Sequence, residues 1–276
     1  MTAETKTAER EGLHKNHDAY FVPGLHRGLL VMEAIAGERR PLSVTEIAKR
    51  LSLTRSSVFR LIYTLRHMGF LEMTADSKEF GLGPRVLNIV FAYLASKDII
   101  EISRPDLEQL RDETNVSSHL VIRDGTEILY LSCVQTRSGF LSNMNVGARL
   151  PAYATPLGWL LLSDLSPREI ASLFAQVTFT PMSEHTPKSV DELLRRVADA
   201  ATKGHVLSRG IVEYGGSSVT APIIDKSGMI VAAIDISGPD SAFDVDALGT
   251  RYVEAVTQTA QQISRRLGYS AAHSRR

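Results

Sequence analysis

Cysteine is almost missing from this chain. Cys133 is the single one among 276 residues, which leaves no internal disulfide framework and no cysteine-rich zinc site. Long apolar runs are missing as well, and none approaches the roughly 20 residues that a membrane-spanning helix needs. The first 18 residues are polar and lack the apolar stretch of a secretory signal. Net charge is zero, with 31 Lys and Arg against 31 Asp and Glu, so the chain as a whole is no polyelectrolyte. Catalytic signatures are wanting too: there is no G-x-S-x-G elbow, no P-loop, no G-x-G-x-x-G after a strand and no H-E-x-x-H. The eight histidines never fall at i, i+4 on a predicted helix. Together these absences predict a cytoplasmic protein with no membrane partner, catalytic residue, metal or cofactor. What is present, 43% hydrophobic and 22% charged residues, suits a globular chain long enough for two modest domains.

The zero net charge hides an uneven spread. Between Leu25 and Arg85 ten Lys and Arg face six Asp and Glu, while residues 86–276 carry a small acidic excess. A basic front on a mildly acidic back is what a small nucleic-acid-binding module fused to a second domain produces, although a solvated face gives the same count.

Residues 1–20 are read as a disordered polar arm. Leu25, Leu29, Met32 and Ile35 then recur at helical spacing and predict an inward face on a helix ending at Gly37. Ser43-Val44-Thr45-Glu46 is a capping box opening a short helix with Ile47, Ala48 and Leu51 inward. After a brief turn, Thr54 is the N-cap of a third helix, with Val58, Leu61, Ile62, Leu65 and Met68 inward and Gly69 as its stop. Two helices joined by a short turn and preceded by a packing helix form a helix-turn-helix. Two short strands follow around the polar turn Thr74 to Lys78, which makes the motif winged. The groove-facing side of the third helix offers Arg55, Ser56, Ser57, Phe59, Arg60, Tyr63 and Arg66. Arginine forks onto guanine, serine takes bases or phosphates, and a helix N-terminus favours phosphate. Candidate DNA-binding residues are thus Ser43, Thr45, Thr54, Arg55, Ser56, Ser57, Phe59, Arg60, Tyr63 and Lys78, the last on the wing.

Gly83-Pro84 opens a connector helix with Leu87, Val90, Phe91 and Leu94 inward, and a further helix spans roughly 99–113. Strands are expected at 118–122, after a turn at Asp124-Gly125 at 128–134, and then at 205–208, 217–224 and 229–237. Helices are expected at 155–164, 166–174 and 189–203, the last with a capping box Ser189-x-x-Glu192 and a stop at Gly204. A long helix over 245–267 closes the chain. Hairpin-linked strands mixed with helices predict an α+β domain on an antiparallel sheet. Alternation on the strand 229–237 places Ile230, Ala232, Ile234 and Ile236 on one face, and Val231, Ala233, Asp235 and Ser237 on the other. Asp235 either meets solvent or a backbone amide, or it lines a pocket. A buried carboxylate must find a donor. His119 reads as a core or pocket-lining residue ahead of a base, Cys133 as a small hydrophobe, and Tyr153 and Trp159 as packing the core or lining a cavity.

Several stretches resemble the IclR family of bacterial transcriptional regulators in order and spacing. They are Leu53 to Leu61 followed by Gly69-Phe70, Phe80-Gly81-Leu82-Gly83, Arg149 to Gly158, Thr220-Ala221-Pro222-Ile223, and Ile230 to Pro239 with its Ser237-Gly238-Pro239. The resemblance covers Leu25 to about Leu267. It implies a winged helix-turn-helix followed by a GAF-like effector domain, joined by a linker helix. The expected domains are 1–20 arm, 21–83 DNA-binding, 84–97 linker helix, 98–268 effector-binding and 269–276 tail. By position it implies effector contacts at Gly139, Ser142, Pro156, Leu157, Ser208, Ser218, Asp235 and Ser237. Three of these depart from the family's pattern: Ser208 stands for a usual aspartate, Ser218 for a cysteine and Asp235 for a serine. A carboxylate in the cavity repels a small anion, so the expected effector is neutral, aromatic, or amine- or hydrazide-bearing. The expected partners are a pseudo-palindromic operator in double-stranded DNA, that effector, and further copies of the chain as a dimer or a dimer of dimers. Repression is the favoured mode.

Overall fold

The protein is described here from a computed structural model, which covers residues 20–38, 40–74, 78–137 and 144–270. The chain divides after Ser96 into two compact units, each described by itself.

The first unit is built on local signals that the sequence carries plainly. Helix α1 (Pro23–Glu38) is followed by α2 (Val44–Arg50) and α3 (Arg55–His67). Ser43 caps α2 by a reciprocal pair of bonds: its Oγ accepts from the Glu46 amide at 3.3 Å, and Glu46 Oε2 accepts from the Ser43 amide at 2.8 Å. Thr54 Oγ1 accepts the Ser57 amide and so starts α3. Each cap satisfies an amide that would otherwise have no partner. Strands β1 (Leu71–Met73) and β2 (Phe80–Leu82) form the antiparallel wing, and Leu42 adds a bridge to Phe80 through two backbone bonds. Val31, Ile35, Leu42, Ile47, Val58, Ile62, Leu71 and Phe80 make one core from all of these elements. Gly83 lies against the backbone of Gly69 and Phe70, where a Cβ would strike the Gly69 carbonyl, and its amide donates to the Phe70 carbonyl at 2.8 Å.

Two inward faces expected from periodicity are corrected. On α1 the buried row is Gly28, Val31, Ala34 and Ile35, whereas Leu25 and Leu29 are exposed. Helix α4 (Arg85–Ala95) exposes Leu87, Val90 and Phe91 along with Ile89 and Tyr93. A helical apolar period shows that a face exists, not that the same chain covers it.

The second unit starts with α5 (Asp98–Thr114), ended by Asn115 in the left-handed region. Its strands are β3 (Ser118–Asp124), β4 (Glu127–Val134), β5 (Arg149–Pro151), β6 (Val206–Arg209), β7 (Gly216–Ile224) and β8 (Ile230–Pro239). They form one sheet in the order β5-β4-β3-β8-β7-β6, antiparallel throughout. The β3–β4 turn falls at Gly125-Thr126, one residue beyond the expected position, because Gly125 supplies the positive φ. Helices α6 (Pro156–Leu162), α7 (Pro167–Leu173) and α8 (Val190–Lys203) lie on one face with a core of Trp159, Leu160, Phe174, Leu193 and Val197. Helix α9 (Val253–Arg266) and α5 cover the other face. Residues 245–252 precede α9 as short 3-10 and π turns, so the regular helix begins later than its apolar pattern suggests. Ser189 caps α8, but Glu192 reaches back to the Lys188 amide rather than that of Ser189, which leaves half of the expected box.

Candidate nucleic-acid interface and effector cavity

Helix α3 buries Val58 and Ile62 and presents a continuous outer strip. Arg55, Ser56, Phe59, Arg60 and Tyr63 are all exposed, the two aromatic rings at 57% and 67%. Large apolar rings left in water on a short basic helix are costly unless a partner covers them. Among the described residues no carboxylate pairs with Arg55, Arg60 or Arg66, so their charge is directed outward. Thr54 sits at the helix start with its Oγ1 3.2 Å from Ser56 Oγ. Ser57 is half-buried.

Other residues expected at the interface are placed apart from this strip. Ser43 is occupied by the α2 cap, and Thr45 is exposed in the first turn of that helix. Glu46 is held down to about 2 by the backbone and hydroxyl bonds from Ser43 and by Arg40. Lys78 is exposed on the wing, and the wing tip 75–77 lies outside the described residues.

In the second unit a cavity of about 250 Å³ opens on the sheet face that carries α6. Six of the eight effector residues expected from the resemblance line it together: Pro156 and Leu157 at the start of α6, Ser208 on β6, Ser218 on β7, and Asp235 and Ser237 on β8. Gly139 and Ser142 lie outside the described residues. Thr155 Oγ1 caps α6 on the Gly158 amide at 3.0 Å and so fixes Pro156 and Leu157 at the rim. Ser208 and Ser218 stand opposite each other in register, with hydroxyls 2.8 Å apart.

Asp235 is 2% exposed and finds its donor in the side chain of His119, Nδ1 to Oδ1 at 2.7 Å. Burial and the nearby Asp235 charge hold the Tyr130 hydroxyl well above its usual value and push the Cys133 thiol up to about 12. Tyr130 therefore remains a neutral donor on the cavity wall. The lining carboxylates are Asp235 and Glu213, and no lysine or arginine lines the cavity among the described residues. Tyr153 and Trp159 are core residues, with Tyr153 Oη bonded to Thr180 and Trp159 Nε1 donating to the Tyr153 carbonyl.

Residue-by-residue reading missed His119 as the partner of Asp235, and it missed Tyr130, Thr220 and the loop 211–215 as lining. The only available signal was strand alternation, which gives a face but not which strands are neighbours.

Two family models match the chain: "Bacterial transcriptional regulator IclR C-terminal" over residues 91–265 and "IclR helix-turn-helix domain" over residues 24–74. The chain belongs to the IclR family. It is 27% identical over 247 residues to the HTH-type transcriptional repressor AllR of Escherichia coli K12, spanning 90% of this chain and 91% of that protein. Among solved structures, a transcriptional regulator of Rhodococcus sp. RHA1 is 30% identical, with a TM-score of 0.77, over 90% of this chain and 99% of that one. An IclR homologue of Microbacterium hydrocarbonoxydans, solved with 4-hydroxybenzoate, is 22% identical with a TM-score of 0.75 over 90% of this chain and all of that one. As an IclR member the protein is a DNA-binding transcriptional regulator with a C-terminal effector domain, and its relatives are regulators rather than enzymes. No described helix is long and apolar enough to cross a membrane.

Proposed function

We propose that the protein represses transcription from a pseudo-palindromic operator as a dimer or a dimer of dimers, and that a small, neutral or cationic, donor-bearing molecule in the cavity modulates it. The observation that carries the DNA half is the exposed strip on α3, with two uncovered rings and unpaired arginines on a capped helix. The major groove admits one such helix, and paired helices from a two-fold dimer read half-sites about one or more turns apart. The exposed apolar residues of α1 and α4 support self-association, and the likeness to a named repressor supports repression.

The acidic lining, without lysine or arginine among the described residues, carries the effector half. An anion about 4 Å from Asp235 is repelled by about 4 kcal/mol at an effective dielectric constant of about 20, a factor of roughly a thousand in affinity. A ligand that offers N–H or O–H to Asp235 and a carbonyl to the Tyr130 hydroxyl suits the wall better, and a small aromatic amide meets both demands. Gel shifts on the DNA upstream of its gene, run across a salt series, test the first half. Affinity falls steeply with salt, by about one power of salt per phosphate contacted; a flat salt response contradicts the reading. Titration with a panel of simple carboxylates and of neutral amides tests the second. Tight carboxylate binding that Ser237→Ala abolishes would defeat it.

A further inference from the structure

We infer that His119 orients the acceptor on the effector cavity's wall and thereby decides which ligands the cavity admits, a reading that rests on the cavity being the effector site. His119 stands opposite Asp235 in the β3–β8 register and is wholly buried. Its Nδ1 lies 2.7 Å from Asp235 Oδ1 and 3.3 Å from Ser237 Oγ. The other ring nitrogen, Nε2, is buried with no hydrogen-bond partner among the described residues. The ring meets Tyr130 edge-on, with centroids 5.6 Å apart.

An imidazolium carries a hydrogen on both nitrogens, so its Nε2–H would be a charged, buried donor with no acceptor. A bare lone pair at that place is the smaller penalty. The bonding pattern assigns a neutral ring whose one hydrogen sits on Nδ1 and is donated to Asp235, which leaves Asp235 as a carboxylate. One of its oxygens is occupied by His119. No described protein donor is bonded to the other, and Asp235 lines the cavity.

Among the described residues, the remaining groups around the pair supply no countercharge. Strand β4 brings Tyr130 and Cys133, both kept protonated by burial. Strand β7 brings Thr220, β8 brings Ser237, the loop before β7 brings the acidic Glu213, and α6 brings only Thr155, Pro156 and Leu157. The wall is thus an acceptor oriented by a neutral histidine. Without the Nδ1 donor, no described group orients Asp235 toward the cavity as an acceptor, and the preference for donor-bearing ligands is lost.

The test uses the full chain and three probes, benzamide, phenol and benzoate, followed by ligand-observed NMR at neutral pH. Nitrogen-15 histidine spectra of the same samples read the tautomer. The wild type shows His119 protonated on Nδ1 only, and binds benzamide or phenol roughly 1,000-fold more tightly than benzoate, of the order that one uncompensated charge provides. Gln at position 119 retains a donor for Asp235, so His119→Gln keeps the preference. His119→Phe loses it, and Asp235→Asn abolishes it. Should His119→Phe not fold, the tautomer and the Asp235→Asn ratio decide. An imidazolium, an Nε2–H tautomer, benzoate binding as tightly as benzamide, or a wild-type preference in His119→Phe overturns the proposal. Failure of all three probes at millimolar concentration overturns it too, whereas the operator gel shift stands or falls independently and judges the regulator reading alone.

Discussion

Gly158 is the position where a single methyl group should do most damage to the effector domain. It lies in the first turn of α6, directly after Pro156 and Leu157 of the cavity rim. A Cβ built there runs into the Ala152 carbonyl oxygen and lies 2.5 Å from the Ala152 Cα and 2.6 Å from its carbonyl carbon. All three are backbone atoms, so no side chain can rotate away. Ala152 is itself fully buried beside Tyr153 and Ala154, which prevents it from retreating. Overpacking a rigid core costs about 1–3 kcal/mol and more where backbone must shift, so Gly158→Ala is placed at about 3 kcal/mol or above. For a unit of this size that lowers the melting temperature by roughly 6–12 °C. Differential scanning calorimetry of the full chain reads the change in the transition of the second unit. The first unit has its own core, and its transition should stay where it was. A Gly158→Ala variant that melts with the wild type would refute the claim that the two backbones touch here.

Ser43→Ala removes the α2 cap and should cost the first unit about 1 kcal/mol, read by urea denaturation with a fluorescence probe. Glu46, whose carboxyl the Ser43 bonds hold down to about 2, should titrate near 2 by carboxyl NMR. Its share of stability is present above the ordinary glutamate value of 4.5 and is lost as pH falls from there through 2. In Ser43→Ala the backbone amide bond to Glu46 can persist while the hydroxyl bond is lost, so the midpoint moves only part of the way back up, and an unmoved midpoint contradicts a share for the hydroxyl. Cys133, pushed up to about 12, has almost no thiolate at neutral pH. Iodoacetamide should therefore label it slowly in the folded protein and quickly in denaturant; equal rates would show an accessible thiol.

Local signals were legible in the sequence and long-range ones were not. The boxes and caps at Ser43, Thr54 and Gly204 act within four residues, so their geometry is written in the adjacent sequence. Strand alternation on β8 correctly placed Asp235 and Ser237 on one face, and that face is the cavity wall. The pairing of Asp235 with His119 joins residues 116 apart, and no local rule brings β3 beside β8. The strand β5 escaped notice because it is three residues long, sits at a sheet edge and contains Pro151. Leu25, Leu29, Leu87 and Phe91 were misplaced for another reason. Their periodicity is real, but the first unit leaves those faces uncovered.

The proposed operator binding turns on the outer side of α3, and fluorescence anisotropy of a labelled operator fragment against the Arg55→Ala/Arg60→Ala double variant tests it most directly. Loss of these two exposed arginines should weaken binding by roughly 2–6 kcal/mol if both fork onto bases, or lower the salt slope by about one for each that neutralises a phosphate. Folding should be unchanged, because both side chains are exposed. A double variant that binds the operator with wild-type affinity and wild-type salt dependence would show that this helix does not enter the groove.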